Sequence, residues 1–329
     1  MMEKKTAKKL AAAAMLLALG GICIMSIKKA SQDGRPWGSV EISLGGRAEL
    51  QNTIELPLEK TKSLEIKYKH KNIIIYPAKD EKIVIKEYLI SRGPQSLAQV
   101  GYGEDGKVTV TGGDTNTVIV LGFGFGERIE VYLPEKGLKE LAVETGSGNI
   151  TSEAGYLEPE GRLMVTAKSG NVKWRYGDAG ELSFRSGSGN VKVEDIRGNV
   201  TAKTGSGNIT GEKVEGTLDA KTGSGNITLE EFTGNGRMEA GSGNIKVEEG
   251  KITGDLALQT DSGNIKVELA GKIQLHFEIK TGSGFIKTDF GQQLSYNNSG
   301  NTAEGDVGEA PVGRFQAQTG SGNVYIMRE

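Results

Sequence analysis

The side chains that recur at fixed spacing in this chain are asparagine, glycine, serine and threonine. The string Thr-Gly-Ser-Gly-Asn, or a one- or two-residue variant of it, ends at Asn149, Asn171, Asn190, Asn208, Asn226, Asn244, Asn264 and Asn323. A carboxamide donates and accepts hydrogen bonds at once, so such a row can bond to itself or present an array to a ligand. The string contains no acid, base or strong nucleophile. Its chemistry is hydrogen bonding.

Groups for harder chemistry are scarce. Cys23 is the only cysteine, so no intrachain disulfide and no thiolate cluster can form, and His70 and His276 are the only histidines. Zinc or triad chemistry has almost no raw material, and the expectation is no catalytic residue, no metal ligand set and no cofactor. Gly122-Phe123-Gly124-Phe125-Gly126 resembles a phosphate loop only in its glycines, because no Lys-Ser/Thr and no helix follow. A calcium β-roll would need an Asp in every half-repeat, whereas Asp261 alone enters the turn. Glu212, Asp219, Glu230 and Glu248 lie scattered among lysines, as on a solvated face, and form no carboxylate pair. The triplets at Asn149, Asn208 and Asn226 that match a glycosylation signal follow from the turn-then-strand grammar.

That grammar points to the elements that carry the turns. The asparagines at 190, 208, 226 and 244 recur at one fixed interval, which marks stacked repeats. Around each turn apolar residues alternate with polar ones, as in Leu218, Ala220 and Thr222 before Asn226 and Ile227 and Leu229 after it. A period of two means strands, not helices. The fold class expected is all-β, a single-stranded β-solenoid of β-helix or β-roll type with about 18–22 residues per coil. Gly198, Gly216, Gly236 and Gly254 divide the coils again, compatible with a flattened two-sheet coil or a three-faced one. Glycine is expected at the turns for positive φ, with Asn in the left-handed region and the amides stacked into a ladder about 4.8 Å per rung.

The chain has 329 residues, with 49 Gly and only 7 Pro, and 40 Lys plus Arg against 42 Asp plus Glu. Near-neutral charge gives no global attraction to nucleic acid or anionic lipid. Lys4, Lys5, Lys8 and Lys9 precede an apolar stretch from Leu10 to Ile27, followed by Lys28 and Lys29. This reads as an N-terminal membrane helix, an anchor or signal segment over residues 1–30. The charge asymmetry places the body outside the cytoplasm, as a single-pass protein of the cell membrane or, if cleaved, a secreted one. Residues 31–62 read as linker and first strands, 63–135 as a divergent β region, and 136–329 as the regular solenoid with an irregular loop near 291–313.

The stretch Ile129 to Thr151, IEVYLPEKGLKELAVETGSGNIT, with the serial GSGN turns and the earlier SLEIKYKHKNIIIYPAKDEKIVIKEY, resembles the bacterial putative-adhesin family. That resemblance implies an exported β-solenoid of the cell envelope and brings no catalytic residues with it. The expected role is non-enzymatic, in adhesion, envelope sensing or protein interaction, with an envelope protein or a cell-surface glycan as partner. The alternative is a carbohydrate-binding or polysaccharide-cleaving β-helix, which needs an aromatic and acidic groove. Trp174, Tyr176 and Phe184 are the best candidates for one, although alternation turns Trp174 and Phe184 inward.

Overall fold

The computed structural model describes residues 41–43, 47–90, 93–113, 118–120, 126–154 and 160–329. The chain divides into two compact units. In the smaller one, Glu41–Ser43 pairs in parallel with Val118–Val120. The larger one spans Arg47–Asp114 and Gly124–Glu329 and is built of strands, with three short 3-10 turns and no α-helix among the described residues. The expected membrane helix in residues 1–30 lies outside the described residues. No helix among the described residues is long and apolar enough to cross a membrane.

In the larger unit, β-branched and aliphatic residues at alternate positions fill the interior of a parallel β-solenoid. The residue after each turn asparagine forms one apolar column: Ile150, Val172, Val191, Ile209, Ile227, Ile245 and Ile265 stand in register and are buried. Burying each such side chain contributes about 1.5–3 kcal/mol. Trp174 and Phe184 belong to this core, with ring centroids 6.0 Å apart. Each regular coil bends three times: at the Ser-Gly-Asn turn, at a left-handed residue such as Asp195 or Lys213 shortly after it, and near a glycine such as Gly198 or Gly216 about halfway round.

Stacking order departs from chain order at both ends. Ser63–Tyr68 and Asn72–Ala78 lie between Lys107–Thr111 with Arg128–Pro134 on one side and Glu140–Thr145 with Ile150–Ser152 on the other. At the opposite end Gly313–Ser321 and Val324–Arg328 insert between the coil ending at Leu269 and the strands Leu275–Ser283 and Ile286–Thr288. Antiparallel strands cover the outermost layers: Lys82–Leu89 and then Glu49–Pro57 at one end, Thr302–Val307 at the other. The polar, glycine-rich stretch near 291–313 therefore contains a capping strand. Under the first cap, the wholly buried Glu87 carboxylate accepts hydrogen bonds from the Tyr68 hydroxyl (3.0 Å), Asn52 Nδ2 (2.7 Å) and the Ala98 N–H (2.9 Å). Burial, and then the Glu87 charge, push the Tyr68 hydroxyl upward, so it stays protonated.

Candidate functional site

The turn asparagines are joined side chain to backbone. Oδ1 of Asn149 accepts the N–H of Asn171, and the same bond, 2.8 Å at each step, links Asn171, Asn190, Asn208, Asn226, Asn244, Asn264 and Asn323. Asn72 opens the row and the Phe285 N–H ends it on Oδ1 of Asn323, so the ladder follows spatial order through both chain crossings. Within this row, carboxamide-to-carboxamide bonding occurs only at Asn171 and Asn149. None of these ladder asparagines, and none of the glycines directly before them, has positive φ. The turn glycines have another reason, which is close approach: a Cβ on Gly225 would overlap the Gly207 carbonyl of the coil below.

The inward hydroxyls complete the turn. Thr222 donates to the Gly207 carbonyl at 2.8 Å and accepts the Gly225 N–H at 3.1 Å, and Thr204 and Ser186 do the same one and two coils earlier. Thr, both Gly and Asn are thus consumed in closing and stacking coils.

The positive φ that the turns lack sits at the next bend. Tyr176, Asp195, Lys213, Glu231 and Glu249, one in each of five successive coils, have φ between 52° and 65°. A non-glycine residue there costs roughly 1–2 kcal/mol, because Cβ crowds the following carbonyl. With Asp178, Arg197, Glu215, Thr233 and Lys251, which follow two residues later and are in register, this column walls a groove of about 650 Å³. Ile196 and Gly177 line it, and Ala270 and Glu329 complete its lining. Five coils at a strand separation of about 4.8 Å make it roughly 20 Å long.

Six carboxylates line the groove against three cations. Arg197 is taken up by Glu215, with Nε 2.6 Å from Oε2. Glu231, Glu249, Lys213 and Lys251 make no ion pair among the described residues, whereas the neighbouring outer face is closed by Lys192–Glu194, Lys246–Glu248 and Lys266–Glu268 at 2.5, 2.5 and 2.7 Å. At one end of the groove the Arg175 guanidinium lies 4.8 Å from the Tyr176 ring centroid and within 4 Å of carboxylates of Glu153, Glu194 and Asp195.

Of the three aromatic candidates, Trp174 and Phe184 are core and only Tyr176 reaches the groove. A second aromatic group is elsewhere: Tyr76 and Tyr132 stack at 5.4 Å, Lys86 sits 4.9 Å over Tyr132, and Arg128 sits 3.9 Å over Tyr88. Tight sugar binding usually stacks the ring on a bare aromatic face, and the faces of Tyr132 and Tyr88 hold the protein's own cations. Burial and the hydrogen bond to Glu130 push the Tyr132 hydroxyl up to about 12. His70 bonds Ser147 at 2.9 Å, and His276 bonds Asp306 at 2.6 Å. No group of three or more His, Cys, Asp or Glu among the described residues could hold a metal ion. Gly122 to Phe125 lie outside the described residues.

The left-handed column escaped the sequence reading. Its signal is a repeated pair of charged residues shortly after each turn asparagine, Glu194-Asp195, Glu212-Lys213, Glu230-Glu231 and Glu248-Glu249, but charged pairs ordinarily mark a solvated strand.

Comparison with known proteins places this geometry in context. A family described as Toastrack DUF4097 matches residues 61–327. No curated protein matches. Among solved structures, a putative adhesin from Parabacteroides distasonis is 13% identical over 88% of this chain and 100% of its own, with a TM-score of 0.37. A putative adhesin from Bacteroides fragilis is 13% identical over 86% and 100%, TM-score 0.35, and a putative cell adhesion protein from Clostridium sporogenes is 10% identical over 84% and 98%, TM-score 0.25.

Proposed function

The chain belongs to the Toastrack DUF4097 family, and from that premise we propose that it is a non-enzymatic binding protein of the cell envelope. In this proposal residues 1–30 anchor it in the membrane, the solenoid stands outside the cytoplasm, and the left-handed groove holds an extended, positively charged segment of an envelope protein. The observation that carries the reading is the column of five non-glycine residues at positive φ. Glycine would occupy that bend without strain, so side chains there serve something other than closing the coil. The linear groove fits an extended chain, and its excess of unpaired carboxylates fits cationic side chains.

The test uses the full chain in detergent micelles, immobilised and exposed to an extended oligolysine peptide, an oligoglutamate control and envelope extracts. Oligolysine is expected to bind, with affinity falling as salt rises, and Asp195→Asn/Glu231→Gln/Glu249→Gln is expected to lose both oligolysine and the retained envelope proteins. Equal retention by this variant sinks the groove as the binding surface.

A further inference from the structure

On the face that precedes the turns, one row of outward residues runs the length of the stack, and along the coils from Glu144 to Glu239 all of its members but Thr166 are engaged. Glu144 pairs with Lys168, Lys203 with Asp219 and Lys221 with Glu239, and Arg185 donates to Ser183 Oγ at 3.2 Å. At the C-terminal end the same row continues as Gln259, Gln318, Lys280 and Thr302, brought side by side by the strand register. None of these four side chains makes a hydrogen bond or ion pair among the described residues. The parallel row beside it is settled, with Gln316 Nε2 on Glu278 Oε2 at 2.7 Å and Arg314 Nε on Glu278 Oε1 at 3.1 Å.

The four free groups border an open depression of about 390 Å³ on this face, beside the small outward Ala257. This volume is within the range of small-molecule sites, about 300–1,000 Å³. Four polar groups spaced about 4.8 Å apart span about 14 Å. Two carboxamides offer donor and acceptor on adjacent atoms, an ammonium offers donors, and a hydroxyl offers both. That inventory matches vicinal hydroxyls, each of which also donates and accepts.

We propose that the row Gln259–Gln318–Lys280–Thr302 is a saccharide-binding site, distinct from the left-handed groove and taking a short stretch of glycan by its hydroxyls. Gln318 lies on the inserted final coil, so the site exists only when that coil is seated between its neighbours. Without an aromatic platform, binding is weak for a single site, in the range of about 1 mM, and depends on many copies at a surface.

The experiment titrates the full chain in micelles, by calorimetry, with cellotetraose, chitotetraose and tetragalacturonate. At least one is expected to bind; Gln259→Ala/Gln318→Ala is expected to weaken it about tenfold or more, and Lys280→Met also to weaken it. All three positions are exposed, and an unchanged melting temperature verifies that the fold survives. The groove variant Asp195→Asn/Glu231→Gln/Glu249→Gln is expected to bind sugar as the parent does, which separates this site from the protein-binding reading. Absence of binding by all three sugars up to about 10 mM, or binding that the double glutamine variant leaves intact, overturns the proposal.

Discussion

Replacing Lys213, Glu231 and Glu249 together by glycine is expected to make the protein more stable. All three sit near φ 53°, where an L side chain costs roughly 1–2 kcal/mol and glycine costs nothing comparable. Glycine in the unfolded chain gives back about 0.5–1 kcal/mol per site in entropy. The difference is a gain of about 0.5–1 kcal/mol each. No ion pair is lost, since none of the three makes one, and removing Glu231 and Glu249 from successive coils relieves like-charge repulsion. The triple variant should gain about 2 kcal/mol, a rise in Tm of about 4–8 °C for a solenoid of this size. Thermal unfolding followed by circular dichroism reads the shift, and oligolysine binding is measured on the same sample. Higher stability with lost binding is the expected pair of results. A lower Tm would mean that these side chains stabilise the bend, and the inference that they are kept for binding would fall.

Two further perturbations address the stacking. Thr222→Val keeps the shape but leaves the Gly207 carbonyl and the Gly225 N–H without their hydroxyl partner. It should cost about 1–3 kcal/mol, with faster amide exchange confined to the coils on either side; a change below about 0.5 kcal/mol would show the hydroxyl bridge to be dispensable. Glu239 is held below the usual carboxylate range by its hydrogen bond to Lys221 and, after it, by the Arg237 charge. A depressed folded value gives stability that is present above the unfolded value, about 4.3, and is lost as pH falls through the folded one. Glu239→Gln should therefore flatten the decline of Tm between about pH 5 and pH 3, and an unchanged slope would show that this pair does not contribute.

The coils were legible because their grammar is local. Turn asparagine, buried residue at the next position and inward threonine at the start of the same turn, as Thr222 before Asn226, all follow from a local pattern, and Trp174 and Phe184 go to the core on period-two alternation alone. The reason for the turn glycines was not legible. Positive φ and close approach both demand glycine, and only the Gly207 carbonyl lying under Gly225 decides between them. The bend that does take positive φ carries Lys213 and Glu231, residue types that no turn rule selects. Stacking order was hidden for a different reason. Because coils share one motif, Asn323 could in principle cap Asn264 or any other coil, and nothing in its own neighbourhood names the partner.

Physical magnitudes explain how so unlike an order from the sequence can persist at both ends. Seating Asn323 on Asn264 closes a separation of 59 residues, and Asn149 on Asn72 one of 77, against 18 for Asn208 on Asn190. Loop-closure entropy grows only logarithmically, so each crossing costs about 1 kcal/mol more than a regular coil. In exchange Gly313–Ser321 gains a parallel partner on both sides, Leu256–Thr260 and Leu275–Ser283, where an unswapped last strand would have had one. A solenoid frays from its ends, since each coil is held only by its neighbours. Here Gly313–Ser321 and Val324–Arg328 lie inside the stack: before they can leave, Leu275–Ser283 and its antiparallel cover Thr302–Val307 must separate from them. The row Gln259–Gln318–Lys280–Thr302 lies across this interlocked region, so its spacing is fixed by the same pairing that protects the end.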